Sequence, residues 1–287
     1  MLLYMIFTEL SMSFVILAIY IVFLICYNKE KSYLKGRKNM NNMFDISGRK
    51  AIVTGGTRGL GYSMAEALCE AGCEVVIIGS SARVYESAEK LGCKAVQADL
   101  ALKEENYRAF NESLALLGGD LDILVNCAGV IHRHPAEQFP YEDWENVLDV
   151  NLNSVFLLCQ EAGKIMIEKG YGKIINVASM LSFFGGQTVP AYAASKGAVM
   201  QLTKALTNEW AGKGININAI APGYMETDLN AALIANKDRF TTISARIPKG
   251  RWGKAEDMKG LTVFLASPAS DYVCGAIIPV DGGYMVK

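Results

Sequence analysis

The sequence predicts an α/β domain with one doubly wound, parallel, seven-stranded sheet and helices on both of its faces. Three observations carry this expectation. Short runs rich in valine and isoleucine recur along the chain with helical stretches between them, the alternation that gives parallel strands joined by crossover helices. The first run is followed directly by a glycine-rich turn. Small or polar residues close most of the apolar runs, and in such sheets ligands gather at the carboxyl ends of the strands.

Residues 50–53 form the first strand, and T-G-G-T-R-G-L-G at 54–61 leads into a helix over 62–71. Strand, glycine turn and helix together make a phosphate cradle. Glycines let the backbone approach a pyrophosphate, and the helix N-terminus favours its charge. Gly55, Thr57, Arg58, Gly59, Leu60 and Gly61 are therefore candidate contacts to a dinucleotide. The second strand covers 74–79. An acidic residue at its end would bind the ribose hydroxyls of NAD, and a basic one the 2′-phosphate of NADP. Gly79-Ser80-Ser81-Ala82-Arg83 fits neither pattern, so these residues leave the choice open, with Arg58 and Arg83 as cations that could favour a 2′-phosphate. A third strand over 93–98 ends in Asp99-Leu100, where the carboxylate could meet an adenine edge or cap the following turn.

The fourth strand, 121–125, closes with Asn126-Cys127-Ala128-Gly129, small residues that suit a backbone packed against a cofactor. A long helical region over 142–169 contains Asn151, a residue of middling helix propensity that marks a satisfied polar group or a kink. The fifth strand, 173–178, leads to Ser179, and a helix beginning near Pro190 carries Tyr192 and Lys196. The sixth strand, 215–220, ends at the breaker Pro222-Gly223 ahead of an alanine-rich segment that reads as mobile. The seventh strand covers 276–280.

Tyr192 and Lys196 stand four residues apart and share one face of their helix. A phenol is a poor base at neutral pH, and an ammonium beside it favours the phenolate. Ser179 brings a hydroxyl to the same end of the sheet. Seven cysteines without a C-x-x-C pair read as reduced thiols, and the near-neutral net charge of −1 gives no sign of nucleic-acid binding. His132 and His134 flank Arg133 in a loop, but no further ligand stands at metal spacing, so no metal site is expected.

Domain organisation is expected as an apolar segment over 1–43 and one dinucleotide-binding domain over 44–287. Residues 10–27 hold no charge, near the lower limit for a membrane span. Lys29, Lys31, Lys35, Arg37 and Lys38 follow, which would keep the domain in the cytoplasm on a single-pass anchor. The opposing expectation is that translation starts at Met40 or Met43 and that residues 1–39 are upstream sequence read in frame.

T-G-G-T-R-G-L-G (54–61), N-C-A-G (126–129), Asn151, Ser179, Y-A-A-S-K (192–196) and P-G (222–223) together resemble the short-chain dehydrogenase/reductase family over about residues 44–287. Cys127 departs from the family's usual second asparagine. The resemblance implies a Rossmann-type fold, an NAD cofactor with NADP not excluded, and a homotetramer. It also implies roles: Tyr192 as general acid/base, Lys196 lowering the phenol's pKa and holding the nicotinamide ribose, Ser179 bonding the reacting oxygen, and Asn151 positioning a proton-relaying water. Ala128, Gly129, Asn126, Asp99, Leu100, Pro222 and Gly223 join the glycine turn as implied cofactor contacts. Stretches at 173–186, 218–225, 246–253 and 264–273 are most like family members that interconvert hydroxyl and keto groups on sugar acids during pectin or uronate breakdown. An anionic substrate needs a cation, for which Arg133 is the first candidate and Arg246 the second. The rival substrates are gluconate, a 3-oxoacyl carrier protein and, if an anchor is present, a lipid. A regulator that binds dinucleotide without turnover would be expected to have lost Ser179, Tyr192 or Lys196.

Overall fold

The computed structural model describes residues 43–287. The expectations placed on the apolar N-terminal segment lie outside the described residues. Among the described residues, no helix is long and apolar enough to cross a membrane.

Seven parallel strands lie in the order β3-β2-β1-β4-β5-β6-β7. They are β1 (Lys50–Thr54), β2 (Glu74–Gly79), β3 (Lys94–Gln97), β4 (Ile123–Asn126), β5 (Gly172–Val177), β6 (Ile215–Pro222) and β7 (Ile277–Val280). The order reverses between β1 and β4, which opens a crevice at the carboxyl ends of these two strands. Helices α1 (Gly59–Glu70), α2 (Arg83–Leu91) and α3 (Lys103–Leu116) return the chain in the first half. In the second half α4 (Tyr141–Leu148), α5 (Ser154–Lys169) and α6 (Pro190–Trp210) do so, followed by the short α7 (Ala231–Ala235) and α8 (Lys237–Ser244), then α9 (Lys259–Ala266).

Successive side chains on a strand point to opposite faces, so strands covered on both sides read as continuous apolar runs. In β1, Ile52 packs with Val76, Leu124, Ile174 and Ile217 against α3, α5 and α6. Its neighbours Ala51 and Val53 pack with Val75, Ile77, Ile123 and Ile175 against α1, α2 and α9. At the amino ends, Asp122 accepts from Lys50 N at 2.9 Å, from Arg49 Nη1 at 3.0 Å and from Lys169 Nζ at 2.6 Å. That cluster tethers the end of the sheet opposite the crevice.

Two stretches differ from expectation. The helical region over 142–169 is broken by a π-helical turn at Asp149–Asn153, which separates α4 from α5 and contains Asn151. The segment after Thr227 is helical: a short turn at Asp228–Asn230, then α7 and α8. Its buried Leu233 and Ile243 pack with Ile247, Trp252, Met180 and Tyr284, and that apolar anchor holds it.

Candidate active site

The glycine turn owes its shape to close backbone approach. Gly55 has φ +69°, and a Cβ there would stand 2.9 Å from the backbone of Ala128. A Cβ on Gly61 would stand 2.3 Å from the Gly55 carbonyl oxygen. Thr54 latches the two loops together, its Oγ1 accepting from Cys127 N and Ala128 N, both at 3.0 Å. Gly55→Ala is therefore expected to destabilise the fold by roughly 2–4 kcal/mol through left-handed strain and overpacking. Urea unfolding of the variant checks this.

Above the turn, α1 begins at Gly59 with no side-chain cap from Arg58 and no acidic residue in its first turn. Its free N–H groups and positive dipole end face a space where a Cβ on Gly59 would meet nothing nearer than Thr227 Cγ2 at 3.9 Å. This cradle fits the pyrophosphate of a dinucleotide. Leu60 is partly buried against the core. At the end of β2, a Cβ on Gly79 would overlap Thr57 Oγ1, so Thr57 fills the space a side chain there would need. Ser80, Ser81 and Arg83 are exposed beside it. Arg58 is paired with Asp228 at 2.9 Å, both largely exposed. Asp99 is exposed and caps its own turn, Oδ1 accepting from Ala101 N at 3.0 Å, whereas Leu100 is in the core.

The Asn126 side chain turns into the core, where Nδ2 donates to Asn176 Oδ1 at 2.9 Å and to Cys159 Sγ at 3.3 Å. Only its backbone belongs to the crevice wall. Pro222 closes β6; a Cβ on Gly223 would stand 2.6 Å from Asp281 Cα, so this position is set by packing against the chain after β7.

At the centre, Gly129, Asn151 and Lys196 converge. A Cβ on Gly129 would lie 3.3 Å from Asn151 Oδ1 and 3.7 Å from Lys196 Nζ. The π-helical turn aims Asn151 inward: Oδ1 accepts from Val130 N at 2.8 Å, and Nδ2 donates to Val130 O at 2.9 Å and to Ser195 Oγ at 3.2 Å. Ser195 Oγ in turn donates to Tyr192 O at 2.8 Å. Lys196 is buried and donates from Nζ to Val177 O at 2.6 Å. Ser179 lies at the end of β5, its Oγ accepting from Leu181 N at 3.1 Å, and it stands close enough to Tyr192 to favour the ionised phenol. Ser182 braces both motifs, its Oγ accepting from Ser179 N at 3.2 Å and donating to Lys196 O at 2.7 Å.

The electrostatics differ from the sequence expectation in one respect. Burial pushes the Tyr192 phenol above its ordinary value, opposed by the Ser179 hydrogen bond and the Arg133 guanidinium. Lys196 directs its ammonium at Val177 O and lies 5.8 Å from the centre of the phenol ring. Burial also pushes Lys196 itself down to about 8, partly offset by Cys127. The Cys127 thiol is pushed up to about 11 by its own burial.

Arg133 lies within electrostatic reach of Tyr192. Its Nη2 donates to Leu229 O at 3.3 Å. Burial and then the charge of Arg239 press its pKa down, while Tyr192 and Tyr224 act the other way. Arg246 stacks at 4.3 Å over the Tyr284 ring and lines a cavity of about 240 Å³ with Phe183, Phe184, Met285 and Lys287. The sequence reading missed Arg239, which brings a second cation to the Arg133 side from a segment without any motif. It also missed Thr54 as a latch and Ser195 as a link, although both lie inside motifs that it quoted.

A family model described as enoyl-(acyl carrier protein) reductase matches residues 55–285. The 2-dehydro-3-deoxy-D-gluconate 5-dehydrogenase of Bacillus subtilis is 46% identical over 251 residues, 86% of this chain and 99% of that protein. The chain belongs to the short-chain dehydrogenase/reductase family. The gluconate 5-dehydrogenase of Gluconobacter oxydans is 38% identical over 86% of this chain and 98% of its own length. A solved structure of a gluconate 5-dehydrogenase from Burkholderia cenocepacia, in complex with NADP and tartrate, superposes with a TM-score of 0.81 at 40% identity, covering 86% of this chain and 98% of that one. Among short-chain dehydrogenase/reductases, this chain thus carries tyrosine, lysine, serine and asparagine around one point of the crevice.

Proposed function

We propose that this short-chain dehydrogenase/reductase interconverts a secondary hydroxyl and a ketone on a sugar acid, acting as a 2-dehydro-3-deoxy-D-gluconate 5-dehydrogenase. The observation that carries the reading is a guanidinium, Arg133, held at Leu229 O and close enough to Tyr192 for the charge of each to act on the other. It fits a substrate with a carboxylate at one end and a reacting carbon near Tyr192. The relatives' sugar-acid names support it, and so does the tartrate, itself a hydroxy acid, in the Burkholderia structure. Gluconate is the second reading, on the strength of the Gluconobacter relative.

The cofactor is proposed to be NAD or NADP, held by Gly55, Thr57, Arg58, Gly59, Leu60 and Gly61 at its phosphates and by Tyr192 and Lys196 at the nicotinamide end. Asp99, Leu100, Ala128, Gly129, Pro222 and Gly223 form the walls, with Leu100 and Asn126 contributing backbone alone. The bound nicotinamide supplies the hydride chemistry. Tyr192 then gives its proton to, or takes it from, the reacting oxygen, which Ser179 holds by a hydrogen bond. Lys196 and Asn151, facing one point beside Gly129, carry the proton on toward solvent. We place the enzyme in the cytoplasm, in sugar-acid or pectin breakdown, as a homotetramer assembled through the faces of α4, α5 and α6.

The test follows NADH or NADPH formation with 2-dehydro-3-deoxy-D-gluconate and, separately, with gluconate. Turnover of the first at a higher kcat/KM supports the proposal, and turnover of gluconate alone moves the enzyme to the second reading. Arg133→Ala is expected to raise KM for the sugar acid by roughly 10–100-fold, since a charge-assisted bond is lost. The apparent affinity for neutral sorbitol should change little; equal effects on both would remove Arg133 from the carboxylate site.

A further inference from the structure

The loop that carries Arg133 is held from behind by a carboxylate outside the catalytic centre. His134 Nε2 donates to Asp143 Oδ2 at 2.6 Å. His132 Nδ1 lies 3.6 Å from the other oxygen, Asp143 Oδ1, and its Nε2 lies 3.1 Å from Asn146 Oδ1. Asp143 and Asn146 stand three apart on α4 and so share a face, to which both histidines are docked. Two further contacts pin the same loop: His134 N donates to Thr188 O at 3.0 Å, and Phe139 meets the His134 ring edge-on with 5.2 Å between centroids. Arg133, between the two histidines, reaches instead to Leu229 O, and Tyr192 and Tyr224 are close enough to act on its charge.

We propose that Asp143 is a positioning residue for substrate recognition: by clamping His132 and His134 from α4, it fixes the loop from which Arg133 reaches the substrate carboxylate. This rests on the reading of Arg133 as the carboxylate contact. An arginine side chain is long and has much rotamer freedom to lose, so an anchored backbone lowers the cost of holding its guanidinium in one place. Displacements of about 1 Å in a positioning group can cost up to about 100-fold. Asp143 touches no reacting atom, so its effect belongs in substrate binding rather than in the chemical step.

The experiment uses the full chain and four variants: Asp143→Ala, His134→Ala, His134→Gln and Arg133→Ala/Asp143→Ala, beside Arg133→Ala. Asp143→Ala is expected to raise KM for 2-dehydro-3-deoxy-D-gluconate about tenfold, with kcat within about twofold and sorbitol inhibition unchanged. His134→Gln, which keeps an N–H donor for Asp143, should restore most of the affinity that His134→Ala loses. The double variant should bind the acid no worse than Arg133→Ala alone, because the clamp acts only through Arg133. If Arg133→Ala singles out the acid but Asp143→Ala is silent, lowers kcat, weakens sorbitol equally or adds to Arg133→Ala, the positioning role is overturned and the carboxylate reading stands. If Arg133→Ala itself fails to separate acid from polyol, both fall together. Should Asp143→Ala fail to fold, the His134 pair decides alone, with no rescue by glutamine counting against the clamp.

Discussion

Tyr192→Phe is expected to lower kcat by about 10²–10⁴-fold in both directions, the usual worth of a positioned proton donor. Phenylalanine keeps the ring and its place 5.8 Å from Lys196 Nζ and removes only the hydroxyl beside Ser179. The glycine turn and Lys196 are untouched, so the dinucleotide should bind only a few-fold more weakly, through the one contact Tyr192 makes at its nicotinamide end, and the unfolding midpoint should stay close to wild type. The pH dependence makes this more than a dead variant. Burial pushes the Tyr192 phenol up, so at neutral pH it holds its proton. It is then ready to protonate a ketone, whereas oxidation of a hydroxyl needs the phenolate. Wild-type kcat for oxidation should therefore climb with pH through the alkaline range, and kcat for reduction should fall. Pre-steady-state pH profiles in both directions check this. A residual rate in the phenylalanine variant that keeps the same slopes would assign the titration to another group.

The sheet was legible because buried parallel strands leave little for the sequence to hide. Ile52, Val76, Leu124 and Ile174 need apolar partners on one face, and their neighbours need them on the other, so each strand is an unbroken apolar run. Strand limits were read within a few residues, and β2 was read to its ends. Asn151 was legible as a satisfied polar group or a kink in a helix. The π-helical turn that aims it was not, since one extra residue in a helix has no signature in spacing.

The helices after Thr227 were not legible for a different reason. They are held by Leu233 and Ile243, which pack with Trp252 nearby and with Met180 and Tyr284, both distant in sequence. The helices they sit on, Ala231–Ala235 and Lys237–Ser244, are too short for a periodic pattern to stand out. Arg239 arrives at Arg133 on the second of them, unannounced by any motif. Polar side chains at strand ends posed a third difficulty. The parity of a strand decides which way such a side chain points, and Asn126 shares its face with Leu124, toward Cys159 and Asn176 rather than toward the crevice.

Lys196→Met is expected to abolish most activity and to make the protein more stable. Lys196 is buried, and burial pushes its amine from the ordinary 10.5 down to about 8. Below about 8 the folded state must still carry the charge, which costs roughly 3 kcal/mol relative to an unfolded chain where the lysine is hydrated. The folded state binds fewer protons than the unfolded state between about 8 and 10.5, so this penalty fades as pH rises through that window. Methionine has similar length and no charge, and forfeits one hydrogen bond, from Nζ to Val177 O. A net gain of about 1–3 kcal/mol at pH 7 is expected, shrinking toward pH 10. Urea unfolding of both proteins at pH 7 and pH 10 measures it. A methionine variant less stable than wild type at pH 7 would show that the bond to Val177 outweighs the desolvated charge. A more stable, inactive variant would mark Lys196 as a group kept for chemistry against the preference of the fold.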